Sequence, residues 1–181
     1  MNAVATIASG FALGVAIIGA IRDWRSGEIP NWLTLPPLLI APLAYGLAIG
    51  PEQAARSLAA ACFNAFVPYL LFRRGGMGGG DVKIFGALGA VTGFDLFLGL
   101  EIQLAALFIA MLCALGALAW RGQLLSTLAS ALAQISPLLL RARHRPQLSD
   151  NLSAPIRMGA PILIATGIYV APRLLFAWGQ S

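Results

Sequence analysis

Of 181 residues, 59% are hydrophobic and only 10% charged, and the mean hydropathy is +0.81. That is too little charge to cover a wet surface, where about 25% is usual, and it excludes a soluble helical bundle. The net charge of +5 sits in short loops between apolar runs, where basic residues set membrane orientation and meet anionic lipid headgroups rather than nucleic acid.

The chain reads as an all-α, polytopic membrane protein with about six transmembrane helices, each near the ~20 residues that cross about 30 Å of hydrocarbon. The first span covers residues 3–21. It lacks a charged leading region and no cleavage signal follows it, so it is read as retained. It stops at Arg22-Asp23-Trp24-Arg25, and a polar loop occupies 23–31. The second span, 32–49, holds Pro36, Pro37 and Pro42, which a membrane helix tolerates with a kink near its start. The third, 54–72, ends at Arg73-Arg74. Then comes Gly75-Gly76-Met77-Gly78-Gly79-Gly80-Asp81-Val82-Lys83, and a fourth span to about residue 100 with Asp95 near its far end. The fifth covers 102–120. The last covers 158–178, with Trp178 as an interfacial anchor.

Residues 123–140 are apolar but interrupted by Ser126, Thr127, Ser130, Gln134 and Ser136, and Arg141, Arg143, His144 and Arg145 follow. An amphipathic helix lying at the cytoplasmic interface competes here with a seventh span. Charge decides between them. With six spans and the N-terminus outside, only Arg56 and Arg173 of the 12 basic residues escape the cytoplasmic side.

That topology puts Asp23 and Asp81 on one side of the membrane. Two carboxylates held close cannot both ionise cheaply, so the pair shares a proton. Such a pair can hydrolyse a peptide bond, one member activating water and the other polarising the carbonyl. Each has a plainer alternative: Asp23 as a loop charge beside Arg22 and Arg25, Asp81 as an N-terminal helix cap. Five of the six residues 75–80 are glycine, which either lets a substrate backbone approach Asp81 past Gly78 and Gly80 or forms a flexible connector. A positive φ at Gly80 is one way its replacement would do harm, whereas Gly75 lies outside the motif and should matter little.

Asp81 completes a Gly-x-Gly-Asp motif, Gly78-Gly79-Gly80-Asp81, and Asp23 heads the stretch Asp23-Trp24-Arg25-Ser26-Gly27-Glu28-Ile29-Pro30-Asn31. Together these resemble the type IV prepilin peptidase family of aspartic membrane peptidases. The resemblance extends over nearly the whole chain, to a last helix introduced by Ala154-Pro155-Ile156-Arg157-Met158-Gly159-Ala160-Pro161. It implies that Asp23 and Asp81 are the catalytic pair. The partners it implies are prepilins or pseudopilins, cut at the cytoplasmic face of the inner membrane. The chain departs from long family members in having no N-terminal methyltransferase region with paired cysteines. It is similar instead to the short, peptidase-only form of the Flp (tight-adherence) pilus, a single membrane-embedded domain over 1–181. Met158 stands where the family commonly has an aromatic residue.

Other polar residues rank lower. Lys83 either favours an ionised carboxylate or serves a lipid or structural role, and Pro30 and Asn31 shape a turn. Asp95 and Glu101 fall on the far side, His144 is solvated, and Ser9, Thr34 and Asn64 lack a base partner. Cys62 and Cys113 stand apart without a CxxC pair, which excludes a zinc site and makes them small buried hydrophobes. Nothing requires a metal or cofactor. The rival class is a small transporter or channel whose glycine-rich break and acids bind a cation; gradient-dependent uptake without leader release would identify it. A pilus assembly factor with a dead site is a third reading. For the topology, reporters fused after Arg74 and within 141–157 should register cytoplasm and one after Ser181 periplasm. A cytoplasmic C-terminus would make 123–140 a span.

Overall fold

Gly27, at a φ of +69°, ends the first helix, and its N–H reaches back 2.9 Å to the carbonyl of Asp23. A β-carbon would strain that left-handed conformation, which is why glycine so often closes a helix. The stop falls later than the charges alone suggest. Arg22, Asp23 and Arg25 remain inside the helix, and Asp23 is not a loop residue. Charge does not terminate a helix; a backbone that can no longer pair does.

The computed structural model describes residues 3–126 and 157–179, and these are helices joined by short turns. The helices are α1 (Ala3–Ser26), α2 (Asn31–Ala48), α3 (Pro51–Arg73), α4 (Gly79–Val91), α5 (Leu96–Trp120) and α6 (Gly159–Trp178). Among the described residues, α1, α3, α5 and α6 are long and apolar enough to cross a membrane, so the chain is an all-α, multi-pass membrane protein. Helix α2 runs without a break through its three prolines. Helix α4, with 13 residues, is only about 20 Å long, short of the roughly 30 Å of hydrocarbon.

The expected fourth and fifth spans divide elsewhere. Apolar sequence continues past Val91, yet the chain turns at Thr92–Asp95, where the Asp95 N–H bonds the Thr92 carbonyl at 2.9 Å, and Glu101 lies inside α5. Cys62 and Cys113 also differ from expectation, since both are exposed on their helices. In a membrane protein an apolar side chain can face lipid as comfortably as protein, so hydrophobicity does not tell inside from outside. Apart from 123–126, the segment 123–140 lies outside the described residues, as does His144.

Two compact units are present: Met1–Ile109 with Arg157–Ser181, and Ala110–Ile156. Within the first, α4 is the core. Every residue from Ile84 to Val91 is buried, between α3 and α2 with a lighter contact to α1. A β-carbon at Gly89 would stand 2.6 Å from the Ala60 carbonyl oxygen, so α3 and α4 meet backbone to backbone. Such small-residue contact replaces the hydrophobic drive that is missing between helices in lipid. Helix α1 packs chiefly on α6, and its seam with α2 is thin. Along that seam runs an apolar cavity of ≈ 350 Å³, lined by Val4, Ala8 and Phe11 of α1, Pro37 and Ala41 of α2, and Val91.

A helix that ends inside a protein leaves its last carbonyls unpaired. Helix α4 resolves this with side chains. Thr92 Oγ1 donates to the Leu88 carbonyl at 2.8 Å, Ser57 Oγ to Ala90 at 2.7 Å and Tyr45 Oη to Val91 at 2.6 Å, while Gln53 Nε2 reaches the Gly93 carbonyl at 2.7 Å. Tyr45→Phe strands the Val91 carbonyl in an apolar setting and should cost about 1–3 kcal/mol, read as a lower unfolding midpoint in detergent. An unchanged midpoint would show that the hydroxyl is dispensable to the end of α4.

Candidate active site

Asp23 lies in the last turns of α1 and is only 6% exposed. Its Oδ2 accepts the backbone N–H of Gly159 at 2.8 Å, a buried bond. Gly159 opens α6, so one of that helix's orphan N–H groups finds its acceptor on another helix. The fit is close: a β-carbon at Gly159 would lie 2.7 Å from Asp23 Cβ and 2.9 Å from Ala20 Cα. A second bond joins the same two segments. Arg157 Nη1 donates to the Trp24 carbonyl at 2.5 Å, placing a cation at the C-terminal end of α1, where the helix dipole favours it.

Asp81 lies in the first turn of α4, 9% exposed. Its Oδ2 accepts the Gly78 N–H at 3.2 Å, so the cap reading of this residue describes a real bond. That bond uses one oxygen. Among the described residues no hydrogen bond reaches Oδ1 of either aspartate, and each carboxylate is anchored on one side and free on the other. Asp81 stands ahead of the apolar part of α4, outside the four candidate spans. Its pKa is pushed up to about 6, first by burial and further by the charge of Asp23, with the Gly78 N–H acting in the opposite direction. The two acids are therefore within electrostatic reach of each other.

The two motifs are clamped together by the turn between α1 and α2. Ile29 is buried against the start of α4, and a β-carbon at Gly80 would come within 3.1 Å of Ile29 Cβ and 3.4 Å of its backbone nitrogen. Next along, Lys83 Nζ donates to Asn31 Oδ1 at 2.7 Å, which gives Lys83 its structural role. Gly80 is helical and does not have positive φ; its lack of a side chain serves close packing. At Gly78 a β-carbon would sit 3.2 Å from Asp81 Oδ2. Gly75 is the residue at φ +75°, and the N–H groups of Gly75 and Gly76 close α3 on the Phe72 and Leu71 carbonyls, each at 2.9 Å. It is a helix stop rather than a neutral connector.

The remaining candidates stay apart from the pair. Asp95 bonds Arg173 at 3.0 Å. Ser9, Thr34 and Asn64 are buried with no carboxylate or imidazole partner among the described residues. The sequence reading missed Arg157 and Gly159 as parts of the site. The signal was present in Arg157-Met158-Gly159-Ala160-Pro161, a basic residue and a glycine just before a proline at a helix start.

Apolar helices long enough to cross a bilayer, with two of the chain's helices each holding a buried carboxylate, define a multi-pass membrane protein. The comparison with protein families makes the assignment specific, since a family model described as the type IV leader peptidase family matches residues 10–135. This chain belongs to that family, and its function is that of a type IV prepilin leader peptidase, with prepilins as the class of substrate. Membership sets aside the transporter reading. Searches of curated proteins and of solved structures give no match.

Two glycine variants separate packing from flexibility. Gly80→Ala presses on Ile29 and shifts the turn that carries Asp81, and it should reduce leader release per folded enzyme by about tenfold or more. Gly75→Ala should instead lower stability by about 1–2 kcal/mol through its left-handed φ, with little change in specific activity. Leader release measured at matched membrane levels compares the two; equal specific activities would remove the role given to Gly80.

Proposed function

We propose that Asp23 and Asp81 are the catalytic pair of an aspartic endopeptidase that removes the leader from Flp-type prepilins or pseudopilins at the cytoplasmic face of the inner membrane. The observation that carries the pairing is geometric: two buried carboxylates on helices that pack against each other, each holding a helix N-terminal N–H through one oxygen. Asp81, which burial favours in its protonated form, hydrogen-bonds the scissile carbonyl oxygen through its free side. Asp23 takes a proton from a water molecule, whose oxygen attacks the carbonyl carbon. Collapse of the tetrahedral species returns that proton to the leaving nitrogen. Gly78, where a β-carbon would crowd Asp81 Oδ2, keeps the approach to that carboxylate clear for an extended substrate backbone, while Gly80 lets the turn at Ile29 pack against the start of α4.

The orientation rests on the distribution of basic residues, which crowd the end of the chain's helices that holds both acids. Flp-type specificity rests on the resemblance to the short, peptidase-only form. A prepilin suits this arrangement because its basic leader lies in the cytoplasm while its apolar helix lies in the bilayer, so its cut falls near the interface.

Co-expression with a candidate prepilin, followed by mass spectrometry of the pilin N-terminus, tests the reading. Asp23→Asn and Asp81→Asn should each abolish leader removal and leave the protein folded in the membrane, and their losses should not add. Near-normal processing by either variant would return that aspartate to a capping or charge role. The pH profile is a further check. As pH rises and Asp81 loses its proton, kcat/KM, which reports the free enzyme, should decline around pH 6. The corresponding limb of kcat should lie higher, because bound substrate removes more water from Asp81.

A further inference from the structure

We infer that the turn before the last helix, Arg157 to Gly159, is a third part of the active site, and that Gly159 and Arg157 are positioning residues for Asp23. The inference rests on the assignment of Asp23 to the catalytic pair. It reaches beyond the region that the family comparison covers, because the match ends at residue 135.

Three observations converge on this turn. The Gly159 N–H holds Asp23 Oδ2 at 2.8 Å in a buried position. A β-carbon at Gly159 would fall 2.7 Å from Asp23 Cβ and 2.9 Å from both Ala20 Cα and Asp23 Oδ2, so the helix can approach only as glycine. Arg157 Nη1 bonds the Trp24 carbonyl, one residue beyond Asp23, and so ties the backbone of α1 to the same turn. The bond from Gly159 fixes which carboxylate oxygen is engaged, and the bond from Arg157 fixes where along α1 the α6 turn sits. Asp23 Oδ1 is left as the free oxygen that faces the reaction. A carboxylate held by one oxygen loses a torsional freedom that a mobile one would have to surrender at the transition state, and small misplacements of a reacting group are costly in rate.

The consequence is a split between rate and binding. Gly159→Ala should lower kcat about tenfold or more with KM within about twofold, because the substrate surface is untouched while Asp23 is displaced. Arg157→Gln, at an exposed residue and therefore mild in its effect on folding, should lower kcat several-fold. Arg157→Lys should recover most of that loss, since an ammonium still donates to the Trp24 carbonyl. A merely structural turn would reduce the amount of folded enzyme and leave kcat per folded molecule unchanged, and that result for both Gly159→Ala and Arg157→Gln overturns the inference.

One further comparison needs no substrate. Asparagine at position 23 keeps an oxygen that accepts the Gly159 N–H, whereas alanine does not. Asp23→Ala should therefore unfold in detergent several degrees below Asp23→Asn. Equal midpoints would eliminate the anchor itself, whatever the chain cleaves. A chain that releases no leader but shows the difference in midpoint would instead fail the peptidase assignment and keep the anchor.

Discussion

A helix too short to cross a bilayer, and enclosed by protein along most of its length, must find partners for its ends within the protein. Helix α4 meets this condition, and much of the remaining architecture follows from it. At its C-terminal end the carbonyls are taken by Tyr45 from α2 and Ser57 from α3, with Thr92 and Gln53 completing the set. At its N-terminal end the Gly78 N–H is taken by Asp81 itself. Asp81, the residue proposed for the chemistry, is thus also part of the solution to a backbone problem. Its position is set by the requirement that no polar group be left bare in an apolar surrounding.

Both aspartates obey this logic with the same division of labour. One oxygen of each satisfies a helix N-terminus, and the other accepts no hydrogen bond among the described residues. The plain capping role and the chemical role are therefore compatible. A carboxylate that is half committed is ordered before any substrate arrives.

Much of this was legible in the sequence, and the reasons for the rest are physical. Long apolar runs announced α1, α3, α5 and α6, and the glycine motif together with Ile29-Pro30-Asn31 announced the two halves of the site. Helix ends were less legible, because the stop at Gly27 depends on backbone conformation and the stop at Val91 on side chains from distant segments. Burial was also hidden. The exposed Cys62 and the buried Ser57 and Asn64 all lie on α3, and the polar residues face inward while the apolar cysteine faces out. Hydropathy in a membrane protein separates bilayer from water but not lipid from protein. Gly159 illustrates the limit best, since its partner is 136 residues away in sequence.

The helices pack as two groups, α1 with α6 and α4 with α3 and α2, and the seam between them is thin and lined in part by an apolar cavity. Asp23 belongs to the first group and Asp81 to the second. Within a group, contacts such as Gly89 on Ala60 leave no slack, because close-packed atoms resist sliding. The cavity lies toward the start of α1, against Val4, Ala8 and Phe11. Nearer the acids the two groups touch, since a β-carbon at Gly19 of α1 would stand 2.5 Å from Ile84 Cδ1 of α4 and one at Gly80 would meet Ile29. The seam is therefore closed at the end that holds the carboxylates and open at the end that does not.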